Sequence, residues 1–313
     1  MAKCLVTGGA GFIGSSIARR LIADGHTVLV LDNLLTGNRE NIADIESQLR
    51  FINGDIRDRE GMQTLLQGVD YVFHQAALAS VPWSVRDSWL NNDINVNGTL
   101  SVLEAARAAR VRRVIYAASS AIYGDSELLP KVEGMPPQPL SPYAIAKYVG
   151  ELYCQVFHSV YGLEAVALRY FNVFGPRQDP KSEYAAVIPK FITAMLQGSA
   201  PTIFGDGEQT RDFTYIDNVV DANVKAAMAP SSAVAGRVFN IGCGDRVSLN
   251  TLVRELNVIL GSSMRPVYAE GKIGDVRDSM ADISCARMAF DYAPRATLAE
   301  GLAKTVEWYR GSR

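Results

Sequence analysis

Cysteine is scarce in this chain: four among 313 residues, Cys4, Cys154, Cys243 and Cys285. They form no C-x-x-C pair, which argues against a metal cluster, and so wide a scatter gives no disulfide framework. They read as reduced, buried thiols of a cytoplasmic protein. Histidine is rarer still. His26, His74 and His158 lack metal-ligand spacing, so each reads as structural and no metal is expected. No apolar run approaches the roughly 20 residues of a membrane span. The first residues, MAKCLVTGGAGFIG, turn into a glycine-rich loop too soon for a signal peptide. Charge of one sign is also missing: 31 Lys and Arg face 33 Asp and Glu, a net charge of −2. With no basic run of five or more, nucleic acid is not an expected partner. Repeats and low-complexity segments are absent.

What is present is ordinary globular material. Hydrophobic residues make up 48% and charged residues 20%, which rules out a disordered or collagen-like chain. The length suits one large domain or two unequal ones. The first half alternates short β-branched runs with helical patterns. Strands are expected at 4–8, 27–32, 50–55, 71–77 and 113–119. Helices are expected at about 15–24, 58–67 and 92–110. Strands that read as continuous apolar runs between helices imply a parallel sheet covered on both faces. The second half has longer loops and short strands at 202–206, 212–216 and 239–242. Its helical patterns fall at about 185–197, 217–228, 248–260 and 297–310. The whole is α/β, with a smaller and less regular domain built onto a doubly wound one.

Gly8, Gly11 and Gly14 lie in TGGAGFIG, directly after the first strand and before a helix. That context suits a dinucleotide loop: one glycine for the tight turn, one for close approach of a pyrophosphate, one for packing helix on strand. The helix start offers free N–H groups to phosphate. The second strand ends in Asp32, whose carboxylate would accept from a ribose hydroxyl and repel a 2′-phosphate, so NAD is expected over NADP. Asp55, after the third strand, reads either as a contact to the adenine amino group or as an N-cap near Arg57.

Tyr143 and Lys147 form Y-A-I-A-K, and positions i and i+4 share one helix face. A phenol ordinarily has a pKa of about 10. An ammonium beside it, and a cationic nicotinamide ring, favour the phenolate, which can then take a proton from a substrate hydroxyl. Ser119, at the end of the fifth expected strand, can hydrogen-bond the same substrate oxygen; strand-end capping is its simpler role.

These segments, with LDN at 31–33, HQAA at 74–77, SSAIYG at 119–124 and RYFNVFGP at 169–176, resemble the extended short-chain dehydrogenase/reductase family. The resemblance runs from residue 3 to about 310 and is greatest to the nucleotide-sugar 4-epimerases, the UDP-N-acetylglucosamine branch in particular. It implies a Rossmann domain over 1–175 and a nucleotide-sugar domain over 176–313, with room for the chain to cross back. It also implies tightly held NAD, reduced and reoxidised within one turnover as sugar C4 becomes a ketone and the ketose turns. By position, Tyr143 resembles the catalytic base, Ser119 its hydroxyl partner and Lys147 the lysine on the nicotinamide ribose. Gly8, Gly11, Phe12, Ile13 and Gly14 match the pyrophosphate loop. Asp32, Asn33, Thr36 and Gly37 match the adenosine ribose site, and Asp55 and Ile56 the adenine contact. Gln75, Ala76 and Ala77 would lie against the cofactor, with Asn95 behind it.

The resemblance also assigns a substrate side. Asn172 and Arg211 match contacts to the diphosphate, Asp275 a uridine ribose contact and Arg277 a neighbour of the diphosphate. Arg211 also reads as a surface ion pair with Asp212 or Glu208. Lys272 departs from the pattern, because arginine is usual there and lysine lacks the bidentate fork. Ser279 stands where glucose-restricted relatives place tyrosine. With Ala79, Ser80 and Ser120, also small, it would leave room for an N-acetyl group at sugar C2. Several related activities are weighed by what they need. A 4,6-dehydratase needs Asp-Glu right after the Ser119 position, and a UDP-glucuronate decarboxylase usually has glutamate at the Ala121 position; Ser120 and Ala121 stand here. UDP-glucuronate 4-epimerase needs no extra acid and stays open. A cofactor-binding regulatory protein would tend to lose Tyr143 or Lys147. Trp83 and Trp89 read as packing residues rather than pocket borders. The helices near 92–110 and 143–161 carry apolar residues on more than one face. The resemblance implies that they pair as a four-helix bundle in a homodimer.

Overall fold

The computed structural model describes residues 1–180, 186–271 and 276–311. Its centre is a seven-stranded sheet: β1 (Lys3–Thr7), β2 (Thr27–Asp32), β3 (Leu49–Asn53), β4 (Tyr71–His74), β5 (Arg113–Ser119), β6 (Glu164–Tyr170) and β7 (Val238–Ile241). Every pairing in it is parallel, and the spatial order is β7-β6-β5-β4-β1-β2-β3. The order reverses between β1 and β4, so their carboxyl ends open a crevice, the place where doubly wound sheets take ligands.

Burial explains why the strands read as unbroken apolar runs. Val6, Val28, Val30 and Ile115 feed a cluster on one face, and Leu5, Leu29, Leu31 and Val114 a cluster on the other. The helices α1 (Phe12–Ala23), α2 (Arg59–Leu65), α3 (Gly98–Ala108), α4 (Pro142–Tyr161) and α5 (Ile216–Met228) cover both. Ile17 and Leu21 of α1 pack with Val219 and Val220 of α5 on the first face. Met62, Val102 and Phe157, from α2, α3 and α4, cover the second.

Several elements depart from the sequence expectation, three of them in the sheet and its covering helices. β6 was not expected, although EAVALRY follows a helix that ends at Gly162 in a left-handed turn. α1 starts at Phe12, three residues before the expected Ser15, because Gly11 already occupies the N-cap. The expected helix at 92–110 is broken: Ser88–Asn92 runs into one wider turn, Asp93–Asn97, before α3 begins.

The chain also recrosses. β7 comes from the second half yet completes the first-half sheet, and α5 packs on it. Arg113, fully buried at the start of β5, ties the two together. One guanidinium nitrogen donates to the carbonyls of Ala226, Ala227 and Ala229 at the end of α5, and its Nε to Glu164. The rest of the second half is built from two-stranded pairs, 173–174 with 214–215, 210–211 with 247–248, and 202–204 with 267–269, and three longer helices. Among the described residues no helix is long and apolar enough to cross a membrane, and no group of His, Cys, Asp or Glu is placed to hold a metal ion.

Candidate active site

The crevice at the switch point is an open cleft. Gly8, Gly11, Phe12, Ile13 and Gly14 line it where β1 turns into α1. Gly8 has φ +66°, and a Cβ on it would meet the Ala76 backbone at 2.6 Å. A Cβ on Gly14 would stand 2.2 Å from the Gly8 carbonyl oxygen, so only glycine lets α1 seat on the turn. No side chain caps α1. Its first N–H groups, and the positive end of its dipole, are available to an anion at the cleft wall. A dinucleotide therefore fits this loop: the cradle has no Cβ where a pyrophosphate must approach, and the donors there are uncommitted.

Asp32, at the end of β2, lines the cleft and is almost fully buried. Burial pushes its carboxyl up, against the backbone N–H groups of Ala10 and Leu34 that hold the anion, at 2.9 and 2.8 Å. Gly37 lies against it; a Cβ there would meet a carboxylate oxygen at 2.7 Å. Asn33 and Thr36 line the same stretch. Asp55 also faces the cleft, accepting from Asn33 Nδ2 at 2.8 Å and from the Arg57 backbone and guanidinium. The arginine holds its carboxyl down at about 2. Asp55 does not cap the following helix: that is Asp58, which accepts from the Gly61 N–H. Ile56, Gln75, Ala76, Ala77 and Ala79 complete this wall.

Tyr143, Lys147 and Ser119 meet at the far end. Ser141 caps α4 and Pro142 is its first residue, so Tyr143 lies in the first turn with its N–H on Ser84 Oγ at 3.1 Å. Lys147, one turn on, is buried, and its ammonium donates to the Ala117 carbonyl at 2.8 Å. Lys147 Nζ lies 5.1 Å from the Tyr116 ring centroid and 6.0 Å from that of Tyr143. The Ser119 hydroxyl lies beside the Tyr143 phenol and accepts from the Ala121 N–H at 3.2 Å, the capping role expected at a strand end. Burial pushes the phenol of Tyr143 above its usual value, against the lowering effect of Ser119. Burial also lowers the Lys147 ammonium to about 8. The lysine serves the backbone and the ring faces rather than the phenol oxygen.

Several supporting residues carry no sequence signal of their own. Tyr170, at the end of β6, lines the cleft, and its hydroxyl donates to Asn223 Oδ1 of α5 at 3.0 Å. Gln75 Nε2 donates to the Tyr170 hydroxyl at 3.1 Å. Ser84, Leu78, Ile94 and Asn223 went equally unnoticed; only the RYFN motif pointed toward Tyr170. Asn95 is buried outside the lining, its carboxamide bonded to both backbone groups of Leu78, at 2.8 and 3.2 Å, and to Asn91. It holds the loop after β4 in place. His74 joins Thr7 of β1 to Thr99 of α3, at 2.7 and 3.0 Å, and burial beside Lys147 drops its imidazole to about 3.

A second cavity opens between the halves, lined by Val81, Pro82, Asn172, Phe204, Gln209, Arg211 and Phe213 among others. Asn172, with φ +30°, donates to the Asp212 carbonyl at 3.2 Å. Arg211 donates to the Thr210 and Arg277 carbonyls at 2.9 and 3.2 Å. Asp212 is fully buried and accepts from the N–H groups of Cys243, Gly244 and Ala281. Arg277 is half-exposed, with both guanidinium ends on Asp206 at 2.9 and 3.0 Å. Ser80 caps the helix Val81–Arg86 through the Trp83 N–H, and Ser120 opens the short turn 120–123. Ser279 is buried, its N–H on the Thr210 carbonyl at 3.1 Å. Asp275 and Lys272 lie outside the described residues. Trp89 is 86% exposed and Trp83 packs in the α2–α3 layer.

Comparison with known proteins bears on the fold and the family. Residues 4–242 match the NAD dependent epimerase/dehydratase family. The chain is 41% identical over 310 residues to a putative UDP-glucose 4-epimerase of Methanocaldococcus jannaschii, covering 98% of each. It superposes with TM-score 0.95 and 41% identity on the UDP-N-acetylglucosamine 4-epimerase of Methanobrevibacter ruminantium M1 in complex with UDP-N-acetylmuramic acid, covering 100% of this chain and 99% of that one. With the Thermus thermophilus UDP-glucose 4-epimerase complexed with NAD, the TM-score is 0.89 at 36% identity, over 99% and 100% of the chains.

Proposed function

The chain belongs to the NAD dependent epimerase/dehydratase family, and from that premise we propose that it is a UDP-hexose 4-epimerase that interconverts UDP-N-acetylglucosamine and UDP-N-acetylgalactosamine. The observation that carries this is the meeting, in one cleft, of the glycine loop, Asp32, Tyr143 and Lys147, with Ser119 beside the phenol.

Gly8, Gly11, Phe12, Ile13 and Gly14 would hold the cofactor diphosphate. Asp32, Asn33, Thr36 and Gly37 would hold the adenosine ribose, Asp55 and Ile56 the adenine. Both Asp32 oxygens already accept from backbone, and each keeps a lone pair for a hydroxyl. Gln75, Ala76 and Ala77 would border the nicotinamide, with Asn95 fixing their loop. Bound NAD supplies the acceptor that takes hydride from sugar C4 and returns it. Tyr143 removes the C4 hydroxyl proton and gives it back; Ser119 holds the same oxygen. Lys147 binds the ribose and keeps positive charge near the phenol. Because burial holds the phenol up, that charge is needed for ionisation, and activity should fall on the acid side of neutrality.

On the sugar side, Asn172 and Arg211 suit a diphosphate, being amide and guanidinium donors at the second cavity. Arg277 would join them by exchanging its Asp206 partner for phosphate, and Asp275 would hold the uridine ribose. Ala79, Ser80, Ser120 and Ser279 are small, which supports an N-acetylated sugar; UDP-glucose would enter the same space. Residues 1–175 would serve the cofactor and 176–313 the nucleotide sugar, with β7 and α5 crossing back. The chain would act as a homodimer. Ile145, Leu152, Val156 and Val160 form an exposed apolar stripe on α4, whereas α3 exposes no large apolar side chain. The stripe on α4 would therefore supply most of the apolar surface of a four-helix contact.

Proton NMR of the purified protein with UDP-N-acetylglucosamine and no added cofactor tests the assignment. Growth of the UDP-N-acetylgalactosamine anomeric signal is the expected result. Turnover of UDP-glucose or UDP-glucuronate alone would keep the 4-epimerase chemistry and refute the small-residue pocket. Silence with all three after NAD is added would refute the reading.

A further inference from the structure

Below the active site lies an ion pair that the reaction described above does not use. Glu151 of α4 and Arg169 of β6 are both buried, and the guanidinium grips the carboxylate with two nitrogens, Nε to Oε1 at 3.0 Å and Nη2 to Oε2 at 2.8 Å. Nη1 of Arg169 donates to the Tyr123 hydroxyl at 2.7 Å, and that hydroxyl donates to Asn240 of β7 at 2.7 Å. The pair is therefore anchored to two strands, one helix and the short turn after β5. Glu151 is four residues after Lys147, so the two share a face of α4 one turn apart.

We propose that this pair is a positioning and charge-setting device for the active-site lysine: Glu151 keeps the Lys147 ammonium charged in a dry site, and Arg169 keeps Glu151 ionised and fixed. The proposal rests on the 4-epimerase reading for its role in turnover, but not for its effect on the lysine.

The surroundings leave little else to do this. Lys147 sits against the Tyr116 ring and the Ala117 carbonyl from β5, with Tyr143 before it on α4. His74 of β4 is buried and neutral. Cys154, further along α4, is a buried thiol held neutral. None of these brings a negative charge. A buried ammonium without an anion nearby sheds its proton, and a buried carboxylate without a cation gains one. Arg169 answers the second problem and Glu151 the first. A pair kept only for stability is a weak expectation, because well-packed apolar side chains often serve as well.

The test is titration of Lys147 itself in the purified holoenzyme. Protein carrying 13C at the lysine ε-carbon reports it by NMR, the resonance being identified by its loss in Lys147→Arg. In Glu151→Gln the uncompensated Arg169 cation adds to the loss of the anion, so the midpoint should fall by about one pH unit or more. The double variant Glu151→Gln/Arg169→Met removes both charges and should titrate between Glu151→Gln and the wild type. The alkaline limb of kcat/KM should move in the same order, whereas a purely structural pair would lower kcat and leave the limb in place. Equal midpoints in all three proteins would overturn the proposal, whether or not the wild type epimerises a UDP-sugar. If Glu151→Gln does not fold, the double variant against the wild type decides: a midpoint as high as wild type refutes the idea.

Discussion

At Tyr143 two physical demands oppose each other. Burial raises the phenol, and the proposed reaction needs it ionised near neutrality. Tyr143→Phe removes the proton acceptor and leaves the ring packing. It should lower kcat by about 10²–10⁴-fold while the melting temperature stays nearly constant; a variant with wild-type turnover would displace Tyr143 from its role. His74 makes a separate claim, on stability. Its folded value of about 3 lies below the ordinary 6.5, so the neutral imidazole stabilises the fold fully above pH 6.5 and that contribution is lost as pH falls toward 3. Urea unfolding from pH 6.5 to 4 should show a loss of up to about 1.4 kcal/mol per pH unit from this residue. His74→Gln should flatten that slope; an unchanged slope would assign it to other groups.

At the scale of elements, two contacts seat helices on the sheet, one local and one between sequence-distant segments. The seat of α1 on the first turn depends on the missing Cβ of Gly14, 2.2 Å from the Gly8 carbonyl. Gly14→Ala must push the helix outward and misplace its N–H groups. NAD recovered per chain after denaturation should fall by about tenfold or more, the result of losing some 1.4 kcal/mol. The second contact is Arg113, whose guanidinium caps the last turn of α5 from the start of β5. Its cation sits at the negative end of the helix dipole. Arg113→Met strands three carbonyls and takes the partner from the partly exposed Glu164 carboxylate, at a cost of about 3–5 kcal/mol. The melting temperature should drop by on the order of 5–10 °C. A smaller change than about 2 °C, measured by circular dichroism, would show that water replaces the guanidinium with little loss.

At the scale of the whole molecule, the exposed stripe on α4 asks for cover. Val156→Glu sets a charge at its middle, where burial against a second copy would be costly. Light scattering should find wild type at twice the chain mass and the variant at the chain mass. A monomeric wild type would leave the stripe without this partner.

The sequence alone determined the α/β architecture, the glycine turn after β1, the acid at the end of β2 and the Tyr143–Lys147 spacing. All of these are local: a strand, a turn and a helix face are encoded within a few residues of each other, so apolar runs and i, i+4 spacing reveal them. The tertiary structure decided the rest. It added β7 to the first-half sheet and packed α5 on it, set Tyr170 against Gln75 and Asn223, gave Asn95 to Leu78 and Arg277 to Asp206, and joined Glu151, one turn from Lys147, to Arg169. It also set the burial that pushes the Tyr143 phenol up, because desolvation is a property of the packed molecule and not of any motif. Hydrogen-bond partners and desolvation depend on segments far apart in the chain, and no local pattern records which of them will meet.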